Sequence, residues 1–397
     1  MTVWSPAGDG PLAGLRVVDM ATTLMGPYAT LLLAQMGADV IKVETPSGDI
    51  ARSIADPHGH GLGPAFLNLN RGKRSVVIDL KDDEDKARLF DLVSSADVLC
   101  HNMRPAVADR NGLTYEALSE RNPGLIVCRM FGYGQHGPYA DQGAYDDVIQ
   151  GASGTAALQG EEPSYIRSAI VDKTVGVMGA AAVLAAVVER ARSGRGQQVD
   201  VPMFESMVAL NAMEQMGGLV YDPQNGPAGY SRTSSPFRKP YATRDGHLSV
   251  LVYTDRHWSA FFEIAGRPDL ADDPKYRTIR DRTRHIDELY AFLEEVFRTR
   301  TSAEWLEALR EADIPAMPVL GIEELMDDPQ VVSSGLFETV EHPTAGKLRQ
   351  PGLPWRFSRT PPSPAGPAPL LGAHTDAIKS ALSDAVAQDG PPEPCDR

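Results

Sequence analysis

The first third of the chain alternates short apolar, β-branched runs with helical patterns, and this alternation limits the possible folds more than any other feature. Strands are predicted at Leu15–Asp19, Val40–Glu44, Ser75–Asp79, Asp97–Cys100 and Leu125–Cys128. Helical patterns at Pro27–Gln35 and Glu84–Ser94 lie between some of these runs, and a longer apolar helix is expected over Val175–Ala191. Strands separated by helices are typical of βαβ units. The predicted fold class is therefore α/β with a parallel sheet.

Charge and composition exclude several classes of protein. The 38 Lys and Arg residues against 53 Asp and Glu residues give a net charge of −15. A chain this acidic repels nucleic acid and anionic membranes, so neither partner is expected. We expect no apolar run near the roughly 18 residues that a membrane span needs. The segment Met1–Pro6 is not typical of a secretory signal. Cys100, Cys128 and Cys395 have no metal-binding spacing, so we expect no metal site and a reducing, cytoplasmic location.

Three common catalytic or binding motifs do not occur where their chemistry would place them. The segment after the first predicted strand, Met20–Gly26, does not contain the GxGxxG pattern of dinucleotide-binding domains. The chain contains neither a GxxxxGK[ST] phosphate loop nor a GxSxG nucleophile turn. Nicotinamide chemistry, nucleotide hydrolysis and the α/β-hydrolase reaction are therefore disfavoured.

A series of short strings identifies a family resemblance through its order and spacing. The strings are Pro11–Asp19, Gly26-Pro27, Gly37–Glu44, Gly48-Asp49, Asn70–Ser75, Asn102–Pro105, Gly132–Gly134, Val171-Asp172, Gly194–Gln197 and Gly372–Thr375. Together they resemble the family III CoA-transferases, the group that includes formyl-CoA transferase and carnitine CoA-transferase. The resemblance extends from about residue 11 to about residue 378, which is nearly the whole chain.

The resemblance implies a particular domain organisation. It implies a large domain with a Rossmann-like sheet built from both chain ends, and a smaller α+β domain from the middle of the chain. The expected boundaries are 1–200 for the first part of the large domain, 201–235 for a turn-rich linker, 236–330 for the small domain and 331–397 for the return linker and the rest of the large domain. The resemblance also implies a homodimer whose two subunits are interlocked.

Asp172 is the candidate nucleophile. It matches the position of the family's catalytic aspartate and precedes the predicted apolar helix. A carboxylate at a helix N-terminus is stabilised by about 0.3–1 kcal/mol, so we expect it to stay ionised at neutral pH. The alternative from the residues alone is a plain N-cap.

The resemblance also implies a reaction without ATP, a metal or a permanently bound cofactor. Asp172 would attack an acyl-CoA thioester to give a mixed anhydride, and CoA would then attack Asp172 to give an aspartyl-CoA thioester. An acceptor carboxylate would complete the transfer by the reverse steps. CoA and acyl-CoA are thus substrates, and the partners expected are acyl-CoA, a carboxylic acid and a second subunit.

The family's CoA site corresponds to several separate segments of this chain. They comprise Thr22, Thr23, Leu24, Met25, Asn70, Arg71, Gly72, Lys73, Asn102, Met103, Arg104, Arg110, Phe131, Gly132, Tyr133 and Gly134. Arg110 is the first choice for a phosphate contact, and Lys73 and Arg74 are the next, because charged donors bind phosphate strongly. The backbone of Gly132–Gly134 is a candidate oxyanion donor, although an ordinary turn fits it equally well. Lys42 is expected to extend to solvent.

Departures from the family pattern bear on the substrate and on the alternatives. Thr22 and Leu24 replace a His and a Gln of formyl-CoA transferase, and Leu24 with Met25 favours an acid larger or less polar than oxalate. Succinyl-CoA is the donor suggested by the family. Two alternatives stay open. The first is a 2-methylacyl-CoA racemase, which is disfavoured because Tyr145 stands in place of its His base, although Asp146 or Asp147 could act as the base. The second is a non-catalytic acyl-CoA-binding protein.

Overall fold

The computed structural model describes residues 3–6 and 8–389, and these form two compact units. Cys395, named above, lies outside the described residues. The first unit contains residues up to Ala156, Tyr165–Ala209 and the residues from Gln330 onward. The second unit contains Ala157–Ser164 and Leu210–Pro329.

The strands and α-helices of the described residues are numbered in chain order. The strands are β1 (Arg16–Asp19), β2 (Asp39–Glu44), β3 (Arg74–Val77), β4 (Val98–His101), β5 (Ile126–Phe131), β6 (Gln198–Pro202), β7 (Tyr241–Ala242), β8 (His247–Val250), β9 (Ala316–Pro318), β10 (Phe337–His342) and β11 (Gly346–Pro351). The helices are α1 (Met25–Gln35), α2 (Pro64–Leu69), α3 (Asp83–Ser94), α4 (Pro105–Arg110), α5 (Tyr115–Arg121), α6 (Asp146–Ala152), α7 (Ile170–Ser193), α8 (Met203–Gln215), α9 (Ser231–Ser234), α10 (Asp255–Ile264), α11 (Ile279–Arg284), α12 (Ile286–Phe297), α13 (Ser302–Glu311), α14 (Pro329–Ser334) and α15 (Thr375–Asp389).

The first unit is built on a six-stranded parallel sheet with the order β3-β2-β1-β4-β5-β6. The sheet confirms the α/β prediction, and each predicted strand overlaps an observed one. Because the chain winds outward from β1 in one direction and from β4 in the other, the order reverses between these two strands. In open parallel sheets, ligands bind at the carboxyl ends of the strands at such a reversal.

Helix α7 covers one face of the sheet and packs closely on α1. A side chain at Gly176 would bring a Cβ atom within 2.8 Å of the Met25 carbonyl oxygen, so the close approach depends on glycine. The 24-residue helix ends at Gly194, whose φ of 73° forms a left-handed cap. By length and composition alone α7 could span a membrane, so the expectation that no segment would reach this length is wrong. A core helix of a soluble protein meets the same criteria.

The C-terminal part of the chain returns to the first unit and completes the edge of the sheet at β3. Nδ1 of His374 accepts a hydrogen bond from the Ser75 N–H at 3.2 Å, and the Thr375 hydroxyl accepts one from the Val77 N–H at 3.0 Å. The buried Arg71 guanidinium reaches Glu338 of β10 at 2.7 Å. Residues distant in sequence therefore share one core.

The second unit combines a three-stranded antiparallel sheet with an aromatic core. The sheet has the order β7-β8-β9. Its buried cluster includes Trp258, Phe261, Phe297 and Trp305. Of the expected linker 201–235, the residues up to 209 belong to the first unit and residues 210–235 to this one. Within the latter part, Gln215 donates a hydrogen bond to Thr233 at 2.9 Å.

Fully buried ion pairs lie beneath the loop that follows β1. Lys73 pairs with Asp19 at 2.9 Å, and Lys42 pairs with Asp49 at 3.0 Å, with all four side chains inaccessible to solvent. The expectation that Lys42 extends to solvent is therefore wrong. Its ammonium also donates to the Ala21 carbonyl at 2.8 Å. These pairs hold the loop backbone in place because Asp19 also accepts the Ala21 N–H and Asp49 accepts the Thr23 N–H.

Candidate active site

A cavity of about 220 Å³ opens at the carboxyl ends of the central strands of the first unit. Three elements supply most of its wall: the loop after β1, the segment after β4 and the segment after β5. The expected site residues that line it are Thr22, Thr23, Leu24, Met25, Asn102, Arg104, Phe131, Gly132, Tyr133 and Asp172. The cavity thus coincides with the point where the strand order reverses.

The loop after β1 is fixed by hydrogen bonds to both sides of the reversal. The N–H of Thr22 donates to the Asn102 side chain at 3.0 Å, and the Asn102 amide donates back to the Thr22 carbonyl at 2.9 Å. The backbone of Thr23 has a φ of 73°, a conformation that costs a non-glycine residue energy. Asp49 holds Thr23 there by accepting its N–H at 3.1 Å.

Asp172 lies in the first turn of α7 with its carboxyl group at the cavity wall. The N-cap of the helix is Ala169, so the alternative that Asp172 is a plain N-cap is wrong. Within residues 3–6 and 8–389, no group forms a hydrogen bond or ion pair with the Asp172 carboxyl oxygens. A half-buried carboxylate without a protein partner is unusual, since such groups are normally paired. Its oxygens remain available to a bound molecule.

Burial and the negative charge of Asp146 raise the pKa of Asp172 to about 7. The expectation that Asp172 is fully ionised at neutral pH is therefore wrong, because both effects act against the helix dipole. Near neutral pH the protein therefore contains both the protonated carboxyl and the ionised carboxylate. This form is a more basic, and hence stronger, nucleophile than an ordinary aspartate.

Asp146 connects the nucleophile candidate to a short buried network. One of its carboxyl oxygens accepts the Asp172 N–H at 3.0 Å, and the other accepts the Gln150 side-chain amide at 2.6 Å. Gln150 in turn accepts the Ile166 N–H at 2.9 Å. Asp146 therefore accepts the backbone N–H of Asp172, and its negative charge raises the pKa of the Asp172 carboxyl.

The Gly132–Gly134 turn is shaped by packing. A Cβ atom at Gly132 would lie 2.3 Å from the Ala144 Cβ, and one at Gly134 would lie 2.6 Å from a Glu205 oxygen. The Gly134 N–H already donates to Glu205 at 2.9 Å. Gly134 is therefore not an available oxyanion donor, and it does not line the cavity.

The structure does not place the segment Asn70–Lys73 in the cavity. Lys73 donates to Asp19, to the Pro27 carbonyl, to the Thr30 hydroxyl and to Asn70, all within 3.0 Å. An ammonium with four buried acceptors has no donor left for a phosphate, so the expected contact from Lys73 is wrong. Asn70 and Arg71 are likewise buried and bonded within the protein. Gly72 contributes its N–H to the Gly366 carbonyl.

Two other expected CoA contacts lie outside the cavity wall. Met103 is partly buried and packs against the hydrophobic cluster that includes Leu89 and Leu92 of α3. Arg110 is exposed at the end of α4 and does not line the cavity. Arg104 is also exposed, directly precedes α4 and does line it.

The turn-rich segment after β5 contributes residues that the sequence analysis did not name as binding residues. Gln135, Gln142 and Tyr145 line the cavity, and Tyr145 is 75% exposed. The signal that could have located them is the position of the whole segment after a strand of a parallel sheet. Among the described residues, no group of three or more His, Cys, Asp or Glu side chains is arranged to hold a metal ion.

Comparison with known proteins settles the family. Residues 12–375 match the family described as CoA-transferase family III. The chain belongs to CoA-transferase family III. The resemblance inferred from the short strings is thereby confirmed, and the protein is an enzyme of the CoA-transferase class.

Matches to individual proteins also extend over most of the length of this CoA-transferase. Succinyl-CoA:glutarate CoA-transferase of Mus musculus is 32% identical over 372 residues, which cover 93% of this chain and 85% of that protein. Succinyl-CoA:mesaconate CoA-transferase of Haloarcula marismortui is 36% identical over 399 residues, with coverage of 96% and 97%. A CAIB/BAIF family protein from Brucella suis, known from its crystal structure, is 31% identical, has a TM-score of 0.80, and the match covers 94% of this chain and all 100% of that one.

Proposed function

We propose that this CoA-transferase moves CoA from an acyl-CoA donor to a carboxylic acid acceptor through covalent intermediates on Asp172. The observation that carries the proposal is the Asp172 carboxyl, which lies at the cavity wall with no hydrogen-bond partner in the described chain. Its raised pKa supports the same role, because a more basic carboxylate is a better nucleophile toward a thioester.

The reaction proceeds by exchange of activated acyl bonds. The Asp172 carboxylate attacks the thioester carbonyl, forming a mixed anhydride and releasing the CoA thiolate. The thiolate then attacks the Asp172 carbonyl, forming an aspartyl-CoA thioester and releasing the donor acid. The acceptor carboxylate attacks this thioester to give a second anhydride and thiolate, and the thiolate finally takes the acceptor acyl group. Each step replaces one activated bond with another, so neither ATP nor a metal is required.

The CoA moiety is proposed to enter along the segments after β1, β4 and β5. The thioester end of CoA is surrounded by residues that line the same cavity as Asp172, namely Thr22–Met25, Asn102 and Phe131–Tyr133. Arg104, directly before α4, and Arg110, the last residue of α4, are both exposed cations. They are the proposed contacts for the CoA phosphates.

The proposed acceptor is a carboxylic acid larger or less polar than oxalate. Leu24 and Met25 provide an apolar part of the cavity wall. The named relatives transfer CoA between succinyl-CoA and glutarate or mesaconate. We therefore expect succinyl-CoA as donor and a dicarboxylic acid of this size as acceptor, which a panel of acids assayed against succinyl-CoA would test.

The decisive experiment is intact-mass spectrometry of the protein incubated with succinyl-CoA and trapped with hydroxylamine or borohydride. The wild-type protein should carry a modification at Asp172, and the Asp172→Asn variant should not. Asp147→Asn removes a nearby exposed carboxylate and should retain the modification. Rapid turnover with no modification at Asp172 would contradict the mechanism, while solvent deuterium entering the α-position of the acyl group would favour a racemase.

We also propose an interlocked homodimer in the cytoplasm. Helix α7 leaves Val177 and Val188 exposed at 41% and 60%, and Val208 of α8 is 39% exposed, which is apolar surface that a second copy could cover. The free, buried thiols of Cys100 and Cys128 fit a reducing compartment. Two differently tagged preparations should form mixed dimers only after joint unfolding and refolding. Mixed dimers formed without unfolding would rule out interlocking.

A further inference from the structure

A second cavity, of about 500 Å³, lies within the second unit. Its apolar lining includes Val250, Leu293 and Met317. Three basic residues, Arg232, Arg238 and Lys239, stand at its wall. No residue of this wall lines the Asp172 cavity, and none is acidic. A basic cavity is unexpected in a chain with a net charge of −15.

The Arg232 guanidinium is held in place by aromatic side chains. It stacks over the Tyr253 ring at 4.5 Å and donates to the Tyr290 hydroxyl at 2.8 Å. Within residues 3–6 and 8–389, no carboxylate lies within 4.0 Å of the Arg232 or Arg238 guanidinium groups. Lys239, by contrast, pairs with Glu294 at 3.0 Å. Two arginines thus face one cavity with their charge uncompensated by a protein carboxylate.

Tyr241 adds a neutral hydrogen-bond donor to the same wall. Its side chain is 97% buried, since only 3% of its surface is exposed. Burial and the neighbouring Tyr290 and Glu294 raise the pKa of Tyr241, and the charges of Arg238 and Arg232 oppose this shift. Arg232, Arg238 and Tyr241 all line the same cavity. The phenol remains protonated at neutral pH and can donate to an anion.

We propose that this cavity is a second ligand site, which binds a small amphipathic carboxylate. The two guanidinium groups and the Tyr241 hydroxyl receive the carboxylate head, since planar guanidinium forks match its two oxygens. The apolar lining contacts a hydrocarbon body of the ligand. The volume of about 500 Å³ exceeds what an inorganic anion needs and leaves room for such a body.

The test is calorimetric titration of the full chain with hexanoate, inorganic phosphate and 1-hexanol. Hexanoate should bind more tightly than either of the others, which each lack one half of its chemistry. Arg232→Gln should weaken hexanoate binding by about tenfold or more, because it removes a charged donor. Ala316→Phe should also weaken it by filling the cavity. Arg280→Gln, an exposed change in the same unit, should leave it unchanged.

The variants also separate this cavity from the Asp172 cavity, which accepts carboxylates under the proposed function. Hexanoate affinity that is unchanged in both folded variants, Arg232→Gln and Ala316→Phe, would overturn the proposal. Phosphate binding as tight as hexanoate, or no hexanoate binding at millimolar concentrations, would overturn it as well. Circular dichroism and thermal unfolding establish that each variant is folded. If Ala316→Phe does not fold, Ala316→Leu replaces it.

Discussion

Asp19 and Asp172 are two carboxyl groups of the first unit that are shielded from solvent, the first fully and the second in part, and their surroundings differ. Asp19 accepts hydrogen bonds from Lys73 at 2.9 Å, Thr30 at 2.7 Å and the Ala21 N–H at 3.0 Å. Burial alone would raise its pKa, but the charges of Lys73 and Lys42 hold the pKa of Asp19 below its ordinary value. Asp172 has no such partner, and its pKa rises to about 7.

The difference shows that partners, and not burial alone, separate a structural carboxylate from a reactive one. The protein satisfies Asp19 completely, which leaves it no capacity to act on a substrate. It leaves Asp172 unsatisfied, so the folded state bears a cost that a substrate can relieve. The following predictions test this contrast, beginning with the largest effect.

Removing the cation beside Asp19 should have the largest effect on stability. Lys73→Met leaves an unpaired buried carboxylate, and the expected loss is about 3–5 kcal/mol in the free energy of unfolding. Urea unfolding followed by circular dichroism measures this loss. The exposed Lys81→Met serves as the control and should change stability by less than about 0.5 kcal/mol. Equal effects of the two substitutions would show that the buried pair is not required.

Neutralising Asp172 should have the opposite sign. The folded-state pKa of about 7 lies above the ordinary 3.8, so the folded state binds the proton more tightly and stability falls as pH rises between these values. Asp172→Asn removes this penalty and should raise the free energy of unfolding by up to about 4 kcal/mol at pH 8. The gain should vanish below about pH 4. A variant less stable than the wild type at pH 8 would contradict the raised pKa.

The neighbouring charge should be visible in the pH dependence of activity. The acid limb of kcat/KM should follow the ionisation of Asp172 near pH 7. Asp146→Asn removes a negative neighbour, so the limb should move to lower pH, while the amide oxygen can still accept the Asp172 N–H. Asp147→Asn should leave the limb in place. An unmoved limb in a folded Asp146→Asn protein would mean that burial alone raises the pKa.

The smallest effect is expected in the loop after β1, which follows Asp19 and lines the Asp172 cavity. Thr23 adopts a left-handed conformation with a φ of 73°, which glycine adopts freely. Thr23→Gly should therefore raise the free energy of unfolding by at most about 1 kcal/mol. Thr22→Gly, at the adjacent position without a positive φ, should instead lower it by roughly 0.5–1 kcal/mol. Thermal unfolding of both variants would show whether the loop is strained.

The sequence predicted the features that depend on local pattern. The buried strands β1 to β5 were predictable because each is a continuous apolar run, as buried parallel strands require. Asp172 and the loops after β1, β4 and β5 were recognised through short strings with a known order. These residues now line one cavity.

The features that failed depend on contacts between distant residues. Nothing near Lys73 indicates that its ammonium meets Asp19, which lies 54 residues earlier in the chain. The ionisation of Asp172 was inferred from the local helix dipole, worth about 0.3–1 kcal/mol. Burial and the charge of Asp146, 26 residues away, outweigh the dipole, because a rise of the Asp172 pKa to about 7 corresponds to roughly 4 kcal/mol.

The return of the C-terminal segment to β3 has a consequence for biosynthesis. Arg52 hydrogen-bonds to the Pro369 carbonyl, and Arg71 to the Pro351 carbonyl and Glu338. While the ribosome is still translating the second unit, these acceptors do not yet exist. The guanidinium groups of Arg52 and Arg71 in the nascent first unit therefore lack these acceptors until nearly the whole chain has been synthesised. Premature termination near residue 330 would therefore yield a chain with an incomplete core, a natural target for chaperones and proteases.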